Sequence, residues 1–115
     1  WGWDKTYGGI NYFKDCKNFP PQEYWHDMKF WWPQCEAVIA TLYAYQATGD
    51  TKYLEMHKLI KITHLIISPT KNMGNGMATD GSLSQSAKGN LFKGPFHIPR
   101  MLLKCSLLCD EILSK

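Results

Sequence analysis

KFWWPQCE, residues Lys29 to Glu36, is the stretch on which the reading of the chain turns. Two adjacent tryptophans run into Pro33, and a carboxylate follows three residues later, just ahead of the apolar run AVIATLYAY. Proline has no amide hydrogen and a fixed φ, so a helix tolerates it mainly in the first turn. Pro33 therefore predicts a helix start, with Glu36 in or just after the first turn. The partial positive charge and unpaired amides of a helix N-terminus favour an ionised carboxylate there. Two broad aromatic faces beside an oriented carboxylate suit a polyhydroxylated ligand such as a sugar. They equally suit a tightly packed helix start.

Working outward, the first helix is predicted from about Pro33 to Thr48. Val38, Ile39, Leu42 and Tyr45 share one face, while Ala37, Ala40 and Ala44 keep the others small, a pattern expected of a helix buried among other helices. Gly49 is a C-cap signal, and Asp50 or Thr51 can cap the next helix, so the two should form an antiparallel αα-hairpin. The second helix, about Thr51 to Ile67, carries Leu54, His57, Ile60, His64 and Ile67 at helical spacing, and Ser68-Pro69 stops it. Residues Thr70 to Gly89 read as a long loop or weak hairpin, with Asp80-Gly81 as its turn. A third helix is predicted from about Pro99 to Leu113, with Leu102, Cys105, Leu108, Cys109 and Ile112 as its core stripe. Before the octet, a turn at Gly8-Gly9 leads into a short strand over Ile10 to Phe13, and Lys17 to Gln22 form a loop. The fold class is all-α with inserted short β-hairpins. Three helices this apolar would leave much apolar surface in water, so partner helices are expected outside the chain.

The bulk properties exclude several classes. With 115 residues, 44% of them hydrophobic, the chain has room for one domain at most. All five tryptophans lie within the first 32 positions, which suggests one wall of a pocket or a docking face. The formal charge of +3 is spread without a basic block, so no nucleic-acid partner is expected. No apolar run approaches the roughly 18 residues that span a bilayer, and no membrane association is expected. Cys16, Cys35, Cys105 and Cys109 lack the paired C-x-x-C spacing of a zinc site, so no metal is expected. They read as reduced structural thiols of a cytoplasmic protein, Cys105 and Cys109 as small core residues one turn apart. The chain begins at Trp1, and it reads as a piece of something longer.

Glu36 is one candidate for chemistry, and His97 in KGPFHIPR is the other. His97 stands two residues before Pro99, at the threshold of the third helix, where the helix dipole disfavours imidazolium and leaves a neutral ring able to act as a general base. A histidine that merely caps the helix would look the same. Arg100 could clamp an anionic or hydroxyl group, or pair with a carboxylate of the fold. His57 and His64 read as core or groove histidines, and His26 lies in a loop. Gly8-Gly9 lacks the setting of a phosphate loop, and no G-x-S-x-G elbow occurs.

Three segments, WDKTYGGINYF, MKFWWPQCEAVIATLYAYQATGD and KGNLFKGPFHIPRMLLKC, together resemble the C-terminal third of the N-acylglucosamine 2-epimerases, whose animal forms are also called renin-binding proteins. The resemblance implies an (α/α)6 barrel of twelve helices. Residues 1–115 would then be the C-terminal part of a single epimerase domain, supplying its last three helices, with the N-terminal remainder absent. It further implies interconversion of N-acetylglucosamine and N-acetylmannosamine by ring opening, removal of the C2 proton and its return on the opposite face. That chemistry uses a histidine pair supported by a glutamate and an arginine. His97 matches the C-terminal histidine and Glu36 the glutamate, while the other histidine and the arginine belong to parts of the family outside this chain. Trp31 and Trp32 would form apolar wall, and Phe92 stands where many relatives have a sugar-stacking tryptophan. Arg100 is a candidate substrate contact. The run NMGNGMATDG, residues 72–81, departs from the aromatic-rich hairpin usual in the family, which puts one edge of the pocket in question.

The same resemblance implies no cofactor for the chemistry, a nucleotide (ATP) as activator, a homodimer and a cytoplasmic location. Related epimerases act on cellobiose or mannose, and FHIPR sits closer to the acylglucosamine type. An inverting glycosidase would need two carboxylates about 6.5–9.5 Å apart, and Glu36 alone is well placed. The non-enzymatic alternative is a protein-interaction role, such as renin binding, through the leucine-rich third helix.

Overall fold

A computed structural model describes residues 2–67, 76–78, 80, 82 and 94–114, with the backbone alone described at residues 64–67, 76 and 77. Three helices dominate: α1 (Trp31–Thr48), α2 (Lys52–Ile67) and α3 (His97–Leu113). A two-stranded antiparallel sheet joins β1 (Lys29–Phe30) to β2 (Gly76–Met77), pairing Lys29 with Met77 and Phe30 with Gly76.

Both α1 and α3 begin two residues before the predicted proline. Trp31 and His97 are the first helical residues, after Phe30 and Phe96 as N-caps, and Pro33 and Pro99 each fall third. The amides of the whole first turn lack an intrahelical acceptor, so proline marks that turn without marking its first residue. At the other end of α1 Gly49 adopts φ 68° and donates its amide to Tyr45 O at 2.8 Å. A left-handed C-cap of this kind favours glycine. Asp50 Oδ1 then accepts the Lys52 amide at 2.9 Å, which closes the predicted αα-hairpin.

α1 is the centre of the packing. Trp31, Gln34, Cys35, Val38, Ile39, Thr41 and Leu42 are buried, and α2 and α3 flank it while making little contact with each other. The core joins Trp31, Cys35, Val38 and Ile39 of α1 to Ile60 of α2 and Met101 of α3. Val38 O and Thr41 Oγ1 meet His57 from α2, so α2 runs back antiparallel to α1. Glu36 faces His97 and Arg100 at one end, and Gln46 binds Glu111 at the other, so α3 lies parallel to α1.

The core stripe of α3 keeps the predicted Cys105, Leu108 and Ile112 but takes Met101 in place of Leu102 and leaves out Cys109. Met101 and Leu108 are buried and Cys105 is half-buried against the core, whereas Leu102 is 61% exposed and Cys109 is exposed. Successive helical residues are about 100° apart, so packing through Met101 turns Leu102 to solvent. On α2, Leu54 and His57 are half-buried and Ile60 and Thr63 are buried.

The N-terminal segment is held by polar contacts in place of the predicted strand. Ile10 forms an isolated bridge with Trp3, while Tyr12 and Phe13 donate their amides to Met28 O and His26 O, each at 2.9 Å. The buried Gln34 side chain takes both backbone groups of Ile10, at 3.0 Å to its N–H and 2.8 Å to its carbonyl. Those groups are therefore not available to a strand partner. Lys29, fully buried, binds Asp4 at 2.5 Å and ties the turn to β1.

Within the Thr70 to Gly89 segment, Ala78 donates to Ser82 O at 2.8 Å across Asp80, which agrees with a turn there, although Gly81 lies outside the described residues. Most of the NMGNGMATDG run, Ser68-Pro69 and Phe92 also lie outside them, as do the side chains of His64 and Ile67. No disulfide forms among the described cysteines.

Candidate active site

The first turn of α3 and the second turn of α1 meet at one carboxylate. Glu36 stands one turn beyond Trp32 on α1, and His97 and Arg100 stand one turn apart on α3, so each pair shares a helix face. Parallel packing of α1 and α3 brings the two faces together. His97 Nδ1 lies 2.9 Å from Glu36 Oε1, and Arg100 Nη1 donates to Glu36 Oε2. The side chains of His97, Glu36 and Arg100 retain 29%, 34% and 37% of their exposure, so the cluster is roofed by protein but open on one side.

Burial pushes the Glu36 carboxyl up, but the hydrogen bonds from His97 and Arg100 and their charge outweigh it. They hold the group below its ordinary value of 4.5. Glu36 is therefore ionised at neutral pH and can only accept, so the hydrogen between it and His97 belongs to Nδ1. Nε2 is left as the nitrogen able to exchange a proton with a ligand, and no hydrogen bond among the described residues reaches it.

Aromatic rings surround the imidazole. Trp31 meets it edge-on at 5.5 Å, Trp32 lies at 5.5 Å tilted by 32°, and Phe96 closes a third side at 5.0 Å. Tyr12 stands edge-on to Trp32 at 5.7 Å, backed by Phe30. The two tryptophans are not equivalent. Trp31 is 3% exposed and belongs to the core, so it supports the imidazole and offers no open face; Trp32, 36% exposed, carries the accessible surface. Arg100 likewise is occupied by Glu36, with its guanidinium 5.8 Å from the Phe96 ring.

The structure thus gathers His97, Glu36, Arg100, Trp31 and Trp32, and Phe92 lies outside the described residues. Phe96 and Tyr12 were missed by sequence reasoning. Phe96 precedes His97 in FHIPR and could have been found there. Tyr12 is twenty residues from Trp32 and carries no local signal. A hollow of ≈ 380 Å³ lies elsewhere, lined by Trp3, Ile10, Met56, Leu59 and Ile60, and among the described residues no titratable side chain lines it. Among the described residues, no group of three or more His, Cys, Asp or Glu side chains could hold a metal ion, and no helix is long and apolar enough to cross a membrane.

The family model described as N-acylglucosamine 2-epimerase (GlcNAc 2-epimerase) matches residues 1–71. Among curated proteins, the N-acylglucosamine 2-epimerase of Bos taurus is 37% identical over 117 residues, and that of Homo sapiens 34% identical over 119 residues. The matches cover 99% of this chain but 28% and 27% of those relatives, so the chain spans little more than a quarter of their length.

Proposed function

The chain belongs to the N-acylglucosamine 2-epimerase family, and from that membership we propose that it supplies one side of the active site of a sugar isomerase. The reaction is the interconversion of N-acetyl-D-glucosamine and N-acetyl-D-mannosamine. One observation carries this reading. His97 presents Nε2 within an aromatic surround while an ionised Glu36 holds its Nδ1–H at 2.9 Å.

In the ring-opened sugar the C2 hydrogen is acidified by the neighbouring C1 carbonyl. His97 Nε2 takes that proton as a general base, and the C–H electrons form a C1=C2 enolate with the negative charge on the C1 oxygen; in the reverse direction the same nitrogen returns the proton. Inversion requires a second acid/base group on the opposite face of C2. Among the described residues His97 is the one histidine at the site, so the second group comes from outside it. Glu36 is anionic and cannot stabilise the enolate oxygen directly; its part is to fix the tautomer and orientation of His97. Trp32 gives the sugar an apolar face.

The packing supports the (α/α)6 barrel reading for the parent domain, of which residues 1–115 form the C-terminal part. Two parallel helices joined through an antiparallel one make the repeating step of such a barrel, with α1 and α3 inside and α2 outside. The outward faces of α2 and α3, bearing Met56, Leu59 and Ile62 and Leu102, Leu103 and Leu107, would be covered by neighbouring helices. A cytoplasmic location agrees with cysteines kept reduced. Activation by ATP and homodimerisation rest on the family resemblance. A related sugar such as cellobiose or mannose would use the same chemistry at C2.

The rival protein-interaction role, renin binding included, draws on those exposed leucines of α3. His97→Asn in the complete protein separates the two readings. Followed by NMR with N-acetylmannosamine, it should lower turnover about 10²- to 10⁴-fold, the contribution of a positioned acid/base group. A binding-only protein would tolerate the change, and wild-type turnover by the variant would remove His97 from the mechanism.

A further inference from the structure

We propose that Arg100 is a positioning residue, which locks the Glu36 carboxylate and through it the imidazole of His97, and that it does not bind the sugar. This deepens the epimerase reading and rests on it.

The two oxygens of Glu36 are divided between two residues of a single helical turn. Oε1 faces His97 Nδ1 at 2.9 Å, and Oε2 accepts from Arg100 Nη1. A carboxylate turns readily about its terminal torsion, and Glu36 is open enough to be drawn towards water. With one oxygen held by a guanidinium, the other is fixed in direction, and the Nδ1–H of His97 has one acceptor in one place. Arg100 is itself restrained. It lies on the helix that carries His97, and its guanidinium sits 5.8 Å from the Phe96 ring, the ring that closes one side of His97. Arg100, Glu36 and His97 therefore form a closed loop through the α3 backbone, and α1 enters it only through Glu36. The charge of Arg100 also helps keep Glu36 ionised, and a neutral Glu36 could donate its own hydrogen to Nδ1 and select the wrong tautomer.

A substrate clamp and a positioning residue differ in kinetics. An interaction made with the sugar in its ground state appears in KM, whereas the orientation of the proton-transfer group appears in kcat. In the complete protein, Arg100→Gln should lower kcat about 10- to 100-fold, the range seen when outer-shell groups that orient metal-bound histidines are removed. KM for N-acetylmannosamine should stay within about twofold of wild type. Guanidinium ion at non-denaturing concentration should restore part of the lost kcat. Thermal melts report whether the variant folds; if it does not, Arg100→Lys keeps the charge and should show the same split with a smaller loss. A KM raised about tenfold or more with kcat unchanged would make Arg100 a sugar contact and overturn the proposal, as would kinetics unchanged in both constants. Because His97→Asn tests the epimerase reading without touching Arg100, the two can fail separately.

Discussion

His57 and His97 are chemically the same side chain, and their neighbours give them different tasks. His57 is half-buried between α1 and α2, with Nδ1 3.1 Å from Val38 O and 3.2 Å from Thr41 Oγ1. Burial pushes its imidazole below the ordinary value of 6.5; Lys61 pushes the same way, and the bond to Val38 O opposes them. The folded form therefore takes up a proton less readily than the unfolded chain. The stabilisation is fully present above about pH 6.5 and is lost as the pH falls through the lower folded value. Urea midpoints should fall between about pH 7.5 and pH 5.5, and His57→Gln should shrink that fall. An equal fall in the variant would show that His57 does not set it. The surroundings of both histidines are legible in the sequence, because the apolar spacing around His57 and the proline after His97 are local signals. Trp31 and Trp32 cannot be told apart in the same way. Their roles depend on the helix phase, and Pro33 fixes the first turn without fixing its first residue.

At the scale of elements, the features set by near neighbours in the chain are the most legible. The end of α1 at Thr48, the glycine cap and the short hairpin depend on neighbours in sequence, and each lies where predicted. The strand over Ile10 to Phe13 failed because the competitor for Ile10's hydrogen-bonding groups is Gln34, a distant side chain. The α3 stripe held at Cys105, Leu108 and Ile112 but not at Leu102 and Cys109, because contact with α1 selects Met101 over its neighbour Leu102. Gly9 and Gly49 make a matched test of local against tertiary constraint. Both have positive φ, 86° and 68°. A Cβ on Gly49 would meet nothing within 4 Å, whereas one on Gly9 would lie 2.9 Å from Lys29 Cδ and 3.0 Å from Thr63 Cγ2. Gly49→Ala should cost about 1 kcal/mol, the backbone term alone. Gly9→Ala should cost about 2 kcal/mol or more, since the buried Lys29 is tied to Asp4 and cannot give way freely. Equal losses in the two variants, measured by urea denaturation, would mean that the Asp4–Lys29 turn yields at no cost.

At the scale of the whole molecule, the apolar surface has one explanation that also bears on the chemistry. α1 is covered on two sides and contributes most of the core, yet its neighbours turn large side chains outward: Leu102 and Leu103 at 61%, Ile62 at 57%, Leu59 at 53% and Leu107 at 49% exposed. Burying a leucine or isoleucine side chain is worth about 1.5–3 kcal/mol, so leaving several in water on two faces forgoes a large part of the hydrophobic stabilisation these helices could provide. Faces of this kind belong against other helices or against one another. The site is one-sided in the same way. On the proposed epimerase reading, Glu36, His97 and Arg100 act at one face of a sugar, and inversion at C2 needs a second acid/base group facing it. The 115 residues by themselves should therefore associate at micromolar concentration and should not turn over N-acetylmannosamine. Replacing Leu103 and Leu107 with glutamine should reduce the association measured by sedimentation while leaving the chain inactive. A monomeric, active 115-residue chain would contradict both halves of the proposal, in which neighbouring helices cover the leucines and carry the opposing acid/base group.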